Sequence, residues 1–287
     1  MSQRAFILQP TYRFEADRPV VHLYGKLDTG ESCLIRDTRQ TPFFYVEAHH
    51  AQSASELGAP STRASDRVTW TGTPVVRVEV AKPSDTPPLR ERLRGEGIPS
   101  YEADVRFAMR YLIDRGIRGT LALSGPSRPA DGIDQVFLNP EVVPAYWTPR
   151  LQVLSFDIET DPTATRLLSI ALFGCGASEV LLLTPEGYEA PNAAQPFATE
   201  RDLLVTFCQR VREIDPDVLT GWNVIDFDMA VLERLAKKLG VPLLLGRGPG
   251  LVRRRTAARG RGNTQLSIPG RVVLDGIQLL RGAFIRL

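Results

Sequence analysis

From Leu151 onward the sequence falls into an order of apolar segments that few folds can accommodate. Leu151–Phe156 is a mainly apolar run ending on Asp157. Leu167–Phe173 and Val180–Leu183 follow at hairpin-like distances, which predicts three antiparallel strands. Arg201–Ile214 places Leu203, Leu204, Phe207 and Val211 on one face of a helix. A short strand at Asp217–Thr220, a helix over Asp226–Leu239 closed by Gly240, a strand at Arg271–Leu274 and a helix from Gly276 complete the series. Strands and helices alternating in this way imply an α/β unit with a mixed sheet, over residues 150–287.

Residues 1–149 read differently, as a strand-rich α+β domain. Phe6–Leu8, Val20–Tyr24, Cys33–Ile35, Phe43–Val46 and Val75–Val80 are β-prone, and Asp28–Glu31 suits a hairpin turn. Ala48–Ser65 is polar and reads as a loop or short helix. Helices are expected near Leu89–Glu96 and within Tyr101–Gly116. Five prolines between 124 and 149 (Pro126, Pro129, Pro140, Pro144, Pro149) mark a connection to the second domain.

Composition excludes several chemistries. The cysteines (Cys33, Cys175, Cys208) are odd in number and scattered, so neither a disulfide framework nor a Cys-based zinc site is expected. His22, His49 and His50 are the only histidines. The last two fall in a polar segment and are read as facing solvent, which leaves carboxylates to hold any metal. No apolar run reaches the ~20 residues needed to cross a bilayer, and the N-terminus lacks a leader pattern. A monomer in a reducing cytoplasm is the expectation. Net charge is only +2, yet between Arg247 and Arg271 there are seven arginines and no acid.

Acids one residue apart are common here: Glu15/Asp17, Glu102/Asp104 and Asp215/Asp217 share that spacing. Asp157/Glu159 differs because an apolar strand delivers it. Alternation along a strand puts both carboxylates on one face and Ile158 on the other. Two fixed negative charges repel unless a cation joins them, and a hard divalent ion such as Mg²⁺ or Mn²⁺ would resolve that cost. A plain solvent-exposed strand end is the alternative. A second element, Gly221-Trp222-Asn223-Val224-Ile225-Asp226-Phe227-Asp228, joins a strand to a helix. Asp228 falls in the first helical turn, where the helix dipole favours an acid, and Asp226 reads as the N-cap. Asn223 could hydrogen-bond a nucleotide. Phe227 could stack on a base, or be an ordinary core aromatic.

These segments resemble the family B DNA polymerases. Phe156-Asp157-Ile158-Glu159-Thr160 is similar to exonuclease motif I of that family, and Asn223 to Asp228 to its motif II. Asp215–Asn223 resembles the lead-in to motif II, Tyr101–Arg106 with Arg110–Asp114 the N-terminal domain, and Gly270–Ile277 the strand before motif III. Leu172–Gly176 and Pro242–Arg247 point to the bacterial polymerase II branch. The resemblance implies a family N-terminal domain followed by an RNase H-like, DEDD-type 3′→5′ exonuclease domain that proofreads DNA with two metal ions. It implies that Asp157 bridges the ions, Glu159 binds the one that activates water, and Asp228 completes the other. Asn223 and Phe227 would position the 3′ end. Partners would be single-stranded 3′ ends and primer–template DNA, and a sliding clamp through a region outside these residues.

The family's third motif, Tyr-x-x-x-Asp, has no match between Asp228 and Leu287; Asp275 is the only acid after Glu233 and reads as structural. The chain is therefore expected to be a fragment ending within the exonuclease domain at an amphipathic segment (Ile277 to Ile285). It would lack the polymerase domain and have weak or no nuclease activity of its own. Arg253, Arg254, Arg255, Arg259 and Arg261 suit either a phosphate-contacting hairpin or a solvated loop. Two other functions fit less well. A free-standing exonuclease would need its own fourth ligand, and a non-catalytic nucleic-acid-binding module would not need all three acids.

Overall fold

In a computed structural model of the chain, residues 2–255 and 264–282 are described. They separate into two compact units, one of residues 1–128 and 135–147, the other of 129–134 and 148–287.

The first unit begins with β1 (Gln3–Glu15), β2 (Arg18–Leu27), β3 (Ser32–Asp37) and β4 (Phe43–Glu47). α1 (Ala51–Glu56), β5 (Ser61–Val68), β6 (Pro74–Glu79), α2 (Thr86–Gly95), β7 (Ser100–Tyr101) and α3 (Phe107–Asp114) follow. β8 (Thr120–Ser124), β9 (Ser127–Ala130), β10 (Ile133–Leu138) and β11 (Glu141–Pro144) end it. A seven-stranded sheet runs β11-β8-β1-β2-β3-β10-β9, and a four-stranded sheet runs β5-β6-β4-β7. Ile7, Leu23, Ile35 and Phe137 form one core with Phe107 and Tyr111 of α3; Phe44, Val46 and Val78 form another with Leu89 and Leu93 of α2.

Two expectations need correction here. The proline-rich stretch 124–149 is not merely a connection, because it supplies β9, β10 and β11. β9 and β11 are the two edges of the larger sheet. Proline lacks an N–H but is tolerated on an edge, where one side of the strand needs no ladder bond. The polar segment after Ala48 holds the short α1 as expected, but it also contains β5, an edge strand whose polar composition hid it.

In the second unit, β12 (Val153–Thr160), β13 (Leu167–Gly174), β14 (Ala177–Leu183) and β15 (Gln195–Phe197) precede α4 (Glu200–Ile214). β16 (Val218–Gly221), a π-helical turn (Val224–Asp228), α5 (Met229–Leu239), β17 (Arg253–Arg255), β18 (Gln265–Ser267), β19 (Val272–Asp275) and α6 (Gly276–Gly282) complete it. The mixed sheet has the order β15-β14-β13-β12-β16-β19. β12, β13 and β14 are antiparallel, while β12, β16 and β19 run parallel. Leu154, Phe156 and Ile158 share one buried core with Leu203, Leu204, Phe207 and Val211 of α4 and Met229, Leu232 and Leu235 of α5. Each such side chain contributes about 1.5–3 kcal/mol on burial. The same burial fixes the register of β12, since a one-residue slip would turn its acids inward.

Candidate active site

β12 alternates as its sequence predicts: Phe156 and Ile158 are buried, and Asp157 and Glu159 are exposed on the opposite face. On one side these acids pair with β13, as Asp157↔Ala171 and Glu159↔Ser169. On the other side β16 pairs only as far as Ser155↔Thr220. The two carboxylates therefore stand beyond the last paired residue of the parallel neighbour, where the chain leaves the sheet.

Gly221 allows that departure. A Cβ there would meet the Phe156 carbonyl oxygen at 2.6 Å and the Val224 side chain at 3.2 Å, so no larger residue fits without displacing backbone. Asn223 then takes a left-handed conformation (φ 59°), for which Asn is among the better-suited residues. Val224–Asp228 forms a π-helical turn, with the Phe227 N–H donating to the Asn223 carbonyl at 2.9 Å. Asp275, buried at the end of β19, accepts the Ile225 N–H at 2.9 Å and also the Ile277 and Gln278 N–H groups. Reading Asp275 as structural is consistent with these bonds: it holds the turn.

The turn buries Val224, Ile225 and Asp228 and leaves Trp222, Asp226 and Phe227 exposed. Asp226 is not the N-cap of α5. Asp228 occupies that position without a capping side-chain bond, because the wider π turn delays the start of the regular helix. The Asp228 carboxylate is 2% exposed and accepts the Ile158 N–H at 3.1 Å. This bond joins the two segments from within: Asp228 reaches the backbone of the residue between Asp157 and Glu159.

Burial pushes the Asp228 pKa up to about 6, and the charges of Asp157 and Asp275 act in the same direction, against the Ile158 N–H. A raised carboxyl pKa means that the folded state holds the proton more tightly than the unfolded chain. Stability then falls as pH rises from about 4 through about 6. Asp228→Asn keeps an oxygen for the Ile158 N–H and removes the ionising group. Without divalent ions, this variant is expected to be more stable than the native chain at neutral pH by on the order of 1–2 kcal/mol. Near pH ~4 the difference should vanish. Thermal unfolding at the two pH values checks this, and no gain at neutral pH would refute the burial account.

Among the described residues, Asp157, Glu159 and Asp228 do not all lie within 4.8 Å of one another; the one His/Cys/Asp/Glu group that does is Glu47, His49 and His50 in the first unit. Sequence reasoning missed that group, although Glu47-Ala48-His49-His50 is a compact run of potential ligands. Of the arginines expected to meet phosphates, Arg253 and Arg255 are exposed and Arg254 pairs with Glu233 at 2.8 Å. Arg253–Arg255 and Gln265–Ser267 are paired antiparallel strands, which corrects the solvated-loop alternative at both ends of the stretch. Arg259, Arg261, Phe284 and Ile285 lie outside the described residues. Arg247 and Arg271, which bound the basic stretch, are buried and engage Asp215, so they are not phosphate contacts.

The sheet order, with exposed acids on one strand and a buried acid on the adjoining turn, defines an RNase H-like exonuclease fold. The model of the DNA polymerase family B exonuclease domain matches residues 98–284. The chain belongs to the family B DNA polymerases. It is 34% identical to DNA polymerase II of Escherichia coli over 198 residues, covering 68% of this chain and 24% of that protein. A Thermococcus DNA polymerase (strain 9oN-7) is 26% identical over 261 residues, 84% of this chain and 30% of the relative. The solved family B DNA polymerase of Pyrobaculum calidifontis superposes with a TM-score of 0.74 at 26% identity, over 97% of this chain and 37% of that one. The chain thus spans about a quarter to a third of the length of these curated relatives. No helix among the described residues is long and apolar enough to cross a membrane.

Proposed function

We propose that this chain is part of a DNA-directed DNA polymerase, and that residues 150–287 provide the 3′-end-binding and metal-binding surface of its 3′→5′ proofreading exonuclease. Residues 1–149 form a separate domain in this reading. The observation that carries it is the Ile158 N–H to Asp228 bond, which sets a buried, charge-strained carboxylate beside two exposed ones. All-oxygen donors of this kind suit Mg²⁺ or Mn²⁺, and Asp157, Glu159 and Asp228 would hold them. When bound, a pair of such ions stabilises the attacking and leaving oxygens of phosphodiester hydrolysis.

The chain's own residues supply the positioning. Phe227, 40% exposed, offers a face on which the terminal base can stack, for on the order of 1–3 kcal/mol. Asn223, which enters the turn in a left-handed conformation, would offer its amide to the same nucleotide. Arg253 and Arg255 offer charge to phosphates further along the strand. With no Tyr-x-x-x-Asp between Asp228 and Leu287, where the family carries its third motif, this chain alone is expected to hydrolyse DNA poorly or not at all.

Mn²⁺ binding followed by the loss of the free-ion resonance tests the site. Asp157→Ala and Asp228→Ala should each abolish it, and undiminished binding in both would sink the assignment. In parallel, a 3′-labelled single-stranded oligonucleotide should stay intact with Mg²⁺ or Mn²⁺. Trimming that disappears in Asp157→Ala would overturn the expected inactivity and at the same time support the nuclease reading.

A further inference from the structure

The first unit holds a second group of ligand-bearing side chains, chemically unlike the carboxylates of the exonuclease domain. Glu47 ends β4, an interior strand flanked by β6 and β7, and the next three residues form a 3₁₀ turn that carries His49 and His50. One ligand atom from each of Glu47, His49 and His50 lies within 4.8 Å of the others. The two imidazole rings are 4.0 Å apart between centroids. His49 Nδ1 stands 3.7 Å from Glu47 Oε2, beyond hydrogen-bond length. The other Glu47 oxygen is taken: Tyr101 Oη donates to Oε1 at 2.7 Å. Tyr101 belongs to β7, and its neighbour Ser100 pairs with Val46, so two strands fix that bond.

This arrangement offers two imidazole nitrogens and one carboxylate oxygen within 4.8 Å of one another. Outside it, a hydrogen-bond donor sets the carboxylate, as the outer partners of metal ligands commonly do. Bonds of roughly 2.0–2.1 Å imply ligand atoms about 3.3 Å apart in a tetrahedron. The present spacing closes to that by rotation of His49, whose side chain is 62% exposed. Imidazole with carboxylate selects zinc-type divalent ions over Mg²⁺, which prefers oxygen alone. Three protein ligands leave a fourth position for water or an incoming group.

We propose that Glu47, His49 and His50 form a binding site for one zinc-type divalent ion in the N-terminal domain, with Tyr101 as a positioning residue for the carboxylate. The site is independent of the exonuclease carboxylates. Titration of the chelator-stripped chain with ZnCl₂, followed by calorimetry, tests it. The native chain and the Asp157→Ala/Glu159→Ala variant should bind zinc alike at this site. His49→Ala and His50→Ala should each weaken that binding at least tenfold, and Tyr101→Phe roughly tenfold. Co²⁺ should give visible absorption bands of a low-coordinate nitrogen–oxygen site that His50→Ala removes, with far-ultraviolet circular dichroism confirming that each variant is folded. Three results would overturn the proposal: no zinc binding by the native chain, zinc affinity in His49→Ala and His50→Ala equal to that of the native chain, or loss of all zinc binding in Asp157→Ala/Glu159→Ala. Any of these would leave the exonuclease reading standing, because that rests on Mn²⁺ and other residues.

Discussion

Asp217→Ala is expected to destabilise the second unit by about 3–5 kcal/mol, the usual cost of stripping one partner from a buried ion pair. Asp217 is fully buried, accepts the Gln152 N–H at 2.9 Å just before β12, and receives Arg247 Nη2 at 2.9 Å. Arg247 also reaches both oxygens of Asp215, at 2.9 and 3.0 Å. Arg271 joins the same Asp215 at 2.9 Å, and it donates to the Leu245 carbonyl at 2.7 Å and to that of Pro216. Burial pulls the Arg271 pKa down to about 10, with Asp215 opposing the fall, so the guanidinium stays charged at neutral pH. Two cations and two carboxylates balance here. Removing Asp217 leaves Arg247 short of an anion and the Gln152 N–H without an acceptor. Asp217→Asn keeps one of the two accepting oxygens and should cost less. Chemical denaturation of both variants checks the ranking, and a loss below about 1 kcal/mol for Asp217→Ala would show that the network does not hold this corner together.

Asp275→Ala is the second large effect, a loss on the order of 2–4 kcal/mol. Three backbone N–H groups on two sides of the carboxylate, Ile225 on one and Ile277 and Gln278 on the other, would lose a charged acceptor. The π turn would then no longer be tied to β19, and Asp228 would lose its fixed approach to Ile158. Mn²⁺ binding should weaken along with stability even though Asp275 itself lies outside the proposed ligand set. Asp275→Asn retains one acceptor oxygen and serves as the control. A destabilised Asp275→Ala variant with unchanged Mn²⁺ affinity would show that the turn positions itself without this tie.

Much of this site was legible in the sequence, and what was not had definite physical reasons. Alternation made β12 readable: Phe156 and Ile158 inside and Asp157 and Glu159 outside follow from period two alone. α4 was equally plain, since Leu203, Leu204, Phe207 and Val211 face one core. The π turn was not. Val224-Ile225 followed by Asp226 reads as an ordinary helix start, and the acceptor of the Ile225 N–H is Asp275, fifty residues later. Arg247 and Arg271 entered only as the bounds of a basic stretch, because an arginine carries no mark of burial until its acceptors are known. Those acceptors, Asp215 and Asp217, had looked like a chance pair. The edge strands β5, β9 and β11 escaped notice because edges tolerate proline and polar residues that strand patterns count against.

Arg247 and Arg271 grip the same aspartate, so the two ends of the stretch between them are held at one point. For such a closed excursion, doubling the length costs only about 0.6 kcal/mol. Its span is therefore nearly neutral for folding, so what the stretch contributes comes from its strand pair, Arg253–Arg255 with Gln265–Ser267, and not from its length.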